Sequence, residues 1–307
     1  MAEPPRIHIP ADRPDLVRAV EEGGGRPAPL EDADGVVWLE GDPEGLPELP
    51  ASVRWIQLPS AGVEQWIRAG AIDQERAWTS ATGAYGLPVA EHALALMLAA
   101  DKSIHAFARE RAWPADPGEG RHRVRSLEGA TVAIVGAGGI GRALIGLLAP
   151  FGAEVIAVTR RGREVPGAAR TLPADRLAEA LPEAHHVVIA APATDGTRRL
   201  VGARELAAMR DDAWLVNVAR GTLVDTDALV DALRSGAIAG AALDVTDPEP
   251  LPDDHALWTL PNVLITPHVA TPPEAERRHF AARVRENVRR LAAGEELEGL
   301  IDPDGGY

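Results

Sequence analysis

TVAIVGAGGIGRALIGLLA, residues 131–149, decides how the rest of the chain is read. Thr131 to Val135 form an apolar, β-branched run of strand type, and helical spacing begins at about Ile140. Between them stands Gly136-Ala137-Gly138-Gly139-Ile140-Gly141, a G-x-G-x-x-G pattern in the strand-to-helix setting that gives such a pattern meaning. Gly136 permits the turn, Gly138 lets the backbone approach a pyrophosphate, and Gly141 lets helix and strand pack closely. The N–H groups at the helix start are then offered to the anion. A dinucleotide is the expected ligand.

Strand and helix signals alternate outward from this turn. Strands are expected at Glu154–Val158, His186–Ala190, Ala213–Val218, Gly240–Val245 and Asn262–Thr266, with helices at Ala174–Ala180, Ala203–Met209 and Asp225–Ser235. Strands apolar nearly throughout and separated by helices imply a parallel sheet covered on both faces. Upstream, short strand-like runs such as Gly35–Leu39 and Val53–Leu58, set among proline and glycine turns, suggest a smaller α/β unit. From Pro88 the sequence VAEHALALMLAADKSIHAFARERA reads as one long helix suited to bridging two domains, and Trp113–Ser126 interrupts it. A last helix, Pro273–Ala293, is expected to return to the first domain.

Composition narrows the partners. The 31 basic and 46 acidic residues give a net charge of −15, which opposes attraction to phosphate backbones and anionic membranes. No nucleic acid and no membrane partner is expected. The absence of cysteine excludes disulfides, thiolate catalysis and cysteine-ligated zinc, and no metal site is assigned. MAEPPRIHIPADRPD has proline and acid where a secretory leader needs an apolar run, and Ala93–Ala100 is far shorter than the ~20 residues that span a bilayer. A cytoplasmic protein is the expectation.

At the end of the strand after the glycine turn, an acidic residue ordinarily accepts hydrogen bonds from a free ribose. Here Thr159, Arg160 and Arg161 stand instead. A guanidinium pairs with a 2′-phosphate that a carboxylate would repel, so NADP is expected in preference to NAD.

The chain resembles the D-isomer-specific 2-hydroxyacid dehydrogenase family, whose members include glyoxylate and hydroxypyruvate reductases. The resemblance runs from about Val53 to Pro273 and is sharpest in LVNVARGTLVDTDALVDALRSGAIAGAALDVTDPEPLPDDHALWTLPNVLITPHVA. It implies a Rossmann-type doubly wound parallel sheet domain at 99–273 and a smaller flavodoxin-like α/β substrate domain at 1–98 with 274–307. It also implies that Arg220, Glu249 and His268 are the catalytic set, none of which spacing alone singles out. Pro59-Ser60-Ala61-Gly62-Val63 resembles the family's carboxylate-holding loop, which makes Ala61 and Gly62 substrate contacts beside Arg220; an ordinary turn is the rival reading. Further cofactor contacts implied by position are Val89, Gly139, Ile140, Ala191, Pro192, Val218, Ala219 and Asp244.

Each residue type suits the reaction. Reduction of a 2-oxo acid needs a proton on the carbonyl oxygen as hydride reaches the carbon, and histidine is the side chain that exchanges protons near neutrality. His268 takes that part, and Glu249 orients its ring and favours the charged form. Arg220 can bind a carboxylate in a fork and polarise the carbonyl. His92 is read as a packed core residue, and His185 and His186 receive no role. The loop at 59–63, flanked by Gln57, Glu64 and tryptophans, holds no cluster of lysine or arginine for a phosphate. Small unphosphorylated acids such as glyoxylate, hydroxypyruvate or pyruvate are favoured over 3-phosphohydroxypyruvate, the substrate class of phosphoglycerate dehydrogenase. A dinucleotide-sensing corepressor is the rival from another class, and family relatives suggest a homodimer.

Overall fold

The computed structural model describes residues 3–110, 113, 118, 120 and 124–302. They fall into two compact units, one of residues up to Tyr85 and from Pro272, the other Gly86–Thr271. The first contains β1 (Arg6–His8), α1 (Pro14–Glu22), β2 (Arg26–Pro27), β3 (Gly35–Val37), β4 (Trp55–Gln57), α2 (Glu64–Arg68) and β5 (Ala77–Thr79). Its strands are all parallel in the order β2-β1-β3-β4-β5, the flavodoxin-like arrangement.

The second unit opens with α3 (Gly86–Asp101) and α4 (Ile104–Glu110). It continues through β6 (Thr131–Val135), α5 (Gly139–Leu148), β7 (Glu154–Thr159), β8 (Arg170–Pro173), α6 (Leu177–Ala180) and β9 (His186–Ile189). After these come α7 (Ala203–Ala208), β10 (Trp214–Asn217), α8 (Thr226–Ser235), β11 (Gly240–Leu243) and β12 (Val263–Ile265). The seven strands are parallel in the order β12-β11-β10-β9-β6-β7-β8. Taking β6 as the first strand of the unit, this is the Rossmann order 3-2-1-4-5-6 with one strand added. Every residue of β9, β10 and β11 is buried, as strands covered on both faces require.

The long helix expected from Pro88 to Ala112 does not run unbroken. It stops at Asp101, and Ser103 adopts a left-handed φ of 51° before α4 begins. Asp101, the last residue of α3, turns its buried carboxylate inward to lie 2.9 Å from His186 Nε2 on β9, and its carbonyl accepts the Arg125 N–H. A left-handed residue cannot continue a right-handed helix, so at Ser103 the chain breaks off and restarts as α4. Arg111, Ala112 and most of Trp113–Ser126 lie outside the described residues. Two other departures are small: β8 is not among the strands expected from sequence, and Ala174–Ala180 begins as a 3₁₀ turn before α6.

The last helix, α9 (Pro273–Ala293), packs on α1. Phe280, Val284 and Val288, spaced four apart on one face, meet Leu16 and Val20. Burying each such side chain contributes about 1.5–3 kcal/mol. Asn287 on the same helix donates to Gln57 Oε1 at 2.8 Å, and Thr79 Oγ1 donates to the same atom at 3.0 Å. Gln57 is therefore engaged inside the core and does not present a ligand group beside the loop at 59–63. No helix among the described residues is long and apolar enough to cross a membrane.

Candidate active site

The sheet order reverses between β6 and β9, and the glycine turn sits at that reversal. Gly136 has φ 101°, and a Cβ there would lie 2.6 Å from the Ala190 carbonyl and the Ala191 N, so only glycine lets the two strand ends approach this closely. Ligands of open α/β sheets bind at such a crevice. At Gly138 a Cβ would meet nothing within 4 Å. The space a side chain would have taken is open at the start of α5, and no side chain caps that helix. Its first N–H to be satisfied within the helix is that of Arg142, bonded to Gly138 O, which leaves the N–H groups of Gly139, Ile140 and Gly141 as donors. A pyrophosphate fits this opening by charge and by donor count.

The other cofactor candidates surround this turn. Ala191 and Pro192 follow β9, and Val218 and Ala219 follow β10, both of the latter buried. Val89 is buried on the first turns of α3, whose Gly86 packs against Gly139 backbone. Thr159 ends β7 with its hydroxyl buried and without a hydrogen-bond partner, and Arg160 and Arg161 are exposed directly after it.

Arg220, Glu249 and His268 come from the carboxyl ends of β10, β11 and β12, three neighbouring strands. His268 Nδ1 lies 2.6 Å from Glu249 Oε1, with both side chains about half exposed. The carboxylate can only accept, so Nδ1 carries the hydrogen and Nε2 is left to exchange a proton. His268 is left-handed, φ 53°, a conformation that costs a non-glycine residue about 1–3 kcal/mol.

Asp244 holds that conformation in place. Its carbonyl accepts the His268 N–H at 2.8 Å, and its carboxylate accepts the Val269 N–H at 3.0 Å, the Ala270 N–H at 3.2 Å and the Thr266 hydroxyl at 2.6 Å. Burial alone would raise the Asp244 pKa, but the bonds from His92, Thr266 and Val269 outweigh it and pull it down to about 2. Asp244 thus stays charged wherever a histidine can exchange protons.

His92 is not the packed core residue expected from sequence. It is partly exposed, with Nε2 2.9 Å from Thr266 Oγ1 and 3.3 Å from Asp244 Oδ1. Since Thr266 gives its own hydrogen to Asp244, His92 Nε2 must be the donor to Thr266. Nothing in VAEHALALM announces this, because the partner lies 174 residues along the chain. His186 pairs with Asp101 away from this cluster, and His185 Nδ1 accepts the Thr131 N–H at 3.0 Å.

The backbone near Arg220 is fixed from both sides. Asn217 donates to the Arg220 carbonyl at 2.8 Å and accepts the Ala219 N–H at 3.1 Å. A Cβ at Gly221 would stand 1.9 Å from Thr246 O, so the glycine lets this turn abut the segment that leads to Glu249. Arg220 itself is partly buried and donates Nη1 to Ala219 O at 2.7 Å.

In the first unit, the loop after β4 has every carbonyl from Pro59 to Gly62 engaged. Tyr85 OH donates to Pro59 O at 2.7 Å, Ala81 N to Ser60 O at 2.9 Å, Thr82 Oγ1 to Ala61 O at 3.0 Å and Ser60 Oγ to Gly62 O at 2.7 Å. Burial, reinforced by Glu276, pushes the Tyr85 pKa up, which keeps that hydroxyl a donor. In a trans peptide the C=O and the following N–H point in opposite directions. Binding the carbonyls on one side therefore presents the N–H groups of Ser60, Ala61, Gly62 and Val63 on the other, and no acceptor among the described residues takes them. Consecutive free N–H groups make an anion-binding concavity.

The switch-point turn and its uncapped helix define a dinucleotide-binding protein, and the imidazole–carboxylate pair adds proton chemistry to it. Residues 93–270 match the family model described as D-isomer specific 2-hydroxyacid dehydrogenase, NAD binding domain. The chain is 41% identical over 292 residues to an uncharacterized protein of Corynebacterium melassecola from the proB 3′ region, covering 94% of this chain and 95% of that one. It is 34% identical over 235 residues to glyoxylate reductase of Thermococcus litoralis, covering 74% and 70%. A D-isomer specific 2-hydroxyacid dehydrogenase from Xanthobacter autotrophicus Py2, solved in complex with NADPH and MES, matches over 100% of both chains with a TM-score of 0.81 and 27% identity. The chain belongs to the D-isomer specific 2-hydroxyacid dehydrogenase family.

Proposed function

We propose that this protein reduces small unphosphorylated 2-oxo acids, such as glyoxylate or hydroxypyruvate, to 2-hydroxy acids with NADPH preferred. The observation that carries the reading is the 2.6 Å His268–Glu249 pair on the strand-end segment anchored by Asp244. When bound, the nicotinamide supplies the hydride that C2 receives. His268 Nε2 gives its proton to the carbonyl oxygen, Glu249 holds the ring through Nδ1, and Arg220 polarises the carbonyl and pairs with the acid's carboxylate. Ala61 and Gly62 hold the same carboxylate through their N–H groups. Gly136, Gly138, Gly139, Ile140 and Gly141 take the pyrophosphate, and Val89, Ala191, Pro192, Val218, Ala219 and Asp244 make the remaining cofactor contacts. Consumption of NADPH with glyoxylate tests the reading. Cofactor binding with no turnover of any 2-oxo acid would replace it with a sensor, and a large preference for 3-phosphohydroxypyruvate would replace the substrate class.

The cofactor preference follows from Thr159, Arg160 and Arg161, where β7 ends without a carboxylate. One charge-assisted bond from Arg160 to the 2′-phosphate contributes about 1.5–3 kcal/mol, or roughly a 10- to 150-fold preference in kcat/KM. Arg160→Ala is expected to remove most of it. Equal specificity constants for the two cofactors in the wild type would defeat the assignment.

Assembly as a homodimer completes the proposal. Trp113, after α4, is 97% exposed, and a bare indole at that position suits a contact with a second copy. Light scattering is expected to give twice the 32.5 kDa chain mass; a particle of one chain mass across micromolar concentrations would refute the dimer.

A further inference from the structure

Arg283 on α9 is an arginine in a costly place. Its side chain is 9% exposed, Nη1 is buried without an acceptor among the described residues, and the carboxylate paired with it, Glu298 Oε2, lies at 3.4 Å, with Glu286 acting on it more weakly. Burying a guanidinium with incomplete pairing is unfavourable, and an apolar side chain of similar size would fill the space without that cost. The contact that gives the charge a purpose is Nη2 to Thr82 O, 2.9 Å. Thr82 is also held at its other end, its N–H donating to Ser80 Oγ at 3.2 Å. Ser80 in turn donates to Thr82 Oγ1 at 2.7 Å, so the Thr82 hydroxyl hydrogen is directed to Ala61 O. By peptide planarity, the grip on Ala61 O sets the direction of the Gly62 N–H.

We propose that Arg283 is a positioning residue for the Pro59–Val63 loop: it fixes Thr82, through Thr82 it aims the Gly62 N–H, and its charge biases the loop toward the carboxylate form of a substrate. The inference rests on the assignment of that loop to the acid's carboxylate. Arg283 touches neither substrate nor cofactor, because Nη1 is sealed and Nη2 is engaged. Its effect is felt in binding of the acid rather than in the chemical step.

Pyruvate and its neutral amide, pyruvamide, separate this role from packing. In Arg283→Met, KM for pyruvate is expected to rise about tenfold, the net worth of one hydrogen bond, with kcat, the KM for pyruvamide and NADPH affinity little changed. The acid-to-amide ratio of kcat/KM therefore falls by about the same factor. Arg283→Lys, which keeps the charge and one donor, should recover part of it. Thr82→Val cuts the same link and should give the same split, which keeps the proposal testable if Arg283→Met does not fold. A uniform loss with both substrates would make Arg283 a packing residue and overturn the proposal. An unchanged ratio in Arg283→Met or Thr82→Val would also overturn it. Gly62→Pro removes the N–H itself: if it loses the acid preference while Arg283→Met keeps it, the Arg283 inference fails alone. If Gly62→Pro keeps the preference, the loop assignment fails and takes the inference with it.

Discussion

His268→Gln is expected to lower kcat by ~10²–10⁴-fold, the usual contribution of a positioned general acid, while leaving NADPH affinity unchanged. Glutamine can still offer a hydrogen bond but cannot deliver a proton and take it back. The donors proposed for the cofactor, in contrast, sit on the β6–α5 turn and owe nothing to the imidazole. The backbone also survives the change, because Asp244 binds the N–H groups of residues 268, 269 and 270 whatever the side chain at 268. Cofactor titration by fluorescence, paired with steady-state turnover of glyoxylate, separates the two quantities. Turnover near the wild-type value would remove His268 from the mechanism.

How much of this was legible in sequence depended on burial. β6, β9, β10 and β11 are covered on both faces and read as continuous apolar runs, so their positions were recognisable to within a residue or two. β8 was not, because in Arg170-Thr171-Leu172-Pro173 at the sheet edge only Leu172 is buried. The three-residue strand Arg6-Ile7-His8 fails for the same reason, with one buried side chain in a run too short for periodicity. The glycine turn announced itself through its strand-to-helix setting. Arg220, Glu249 and His268 are candidates through the resemblance alone, since three strands ending side by side bring together residues that no local pattern links.

Polar contacts across long separations were the least legible. The bond from Arg283 to Thr82 joins residues 201 apart, and Asn287 reaches Gln57 across 230. Both donors sit on α9 among arginines and glutamates that are just as polar but face outward. A helical wheel could identify the Phe280, Val284 and Val288 face, yet it could not say which neighbouring polar residue turns inward. That choice is made by the unmatched carbonyls and side-chain oxygens of the facing segment, which the sequence does not display.

Arg220→Lys carries the other large expectation, a fall in kcat/KM of ~10²–10³-fold, comparable to losing a donor aimed at a developing oxyanion. The substitution keeps the charge, so a purely electrostatic role would tolerate it. It removes the planar fork, which a lysine cannot reproduce whatever its reach. The main chain leaves little room to compensate: Asn217 ties the carbonyl of residue 220, and the neighbouring Gly221 lies against Thr246 O, where a Cβ would come within 1.9 Å. The turn therefore cannot shift to bring an ammonium group into the guanidinium's place. Both KM for the 2-oxo acid and kcat should suffer, because the fork binds the carboxylate in the ground state and the carbonyl oxygen gains charge only as hydride arrives. Steady-state kinetics with glyoxylate and pyruvate measure the two separately. A rise in KM alone would confine Arg220 to carboxylate binding, and wild-type kinetics would make it a structural residue at the end of β10.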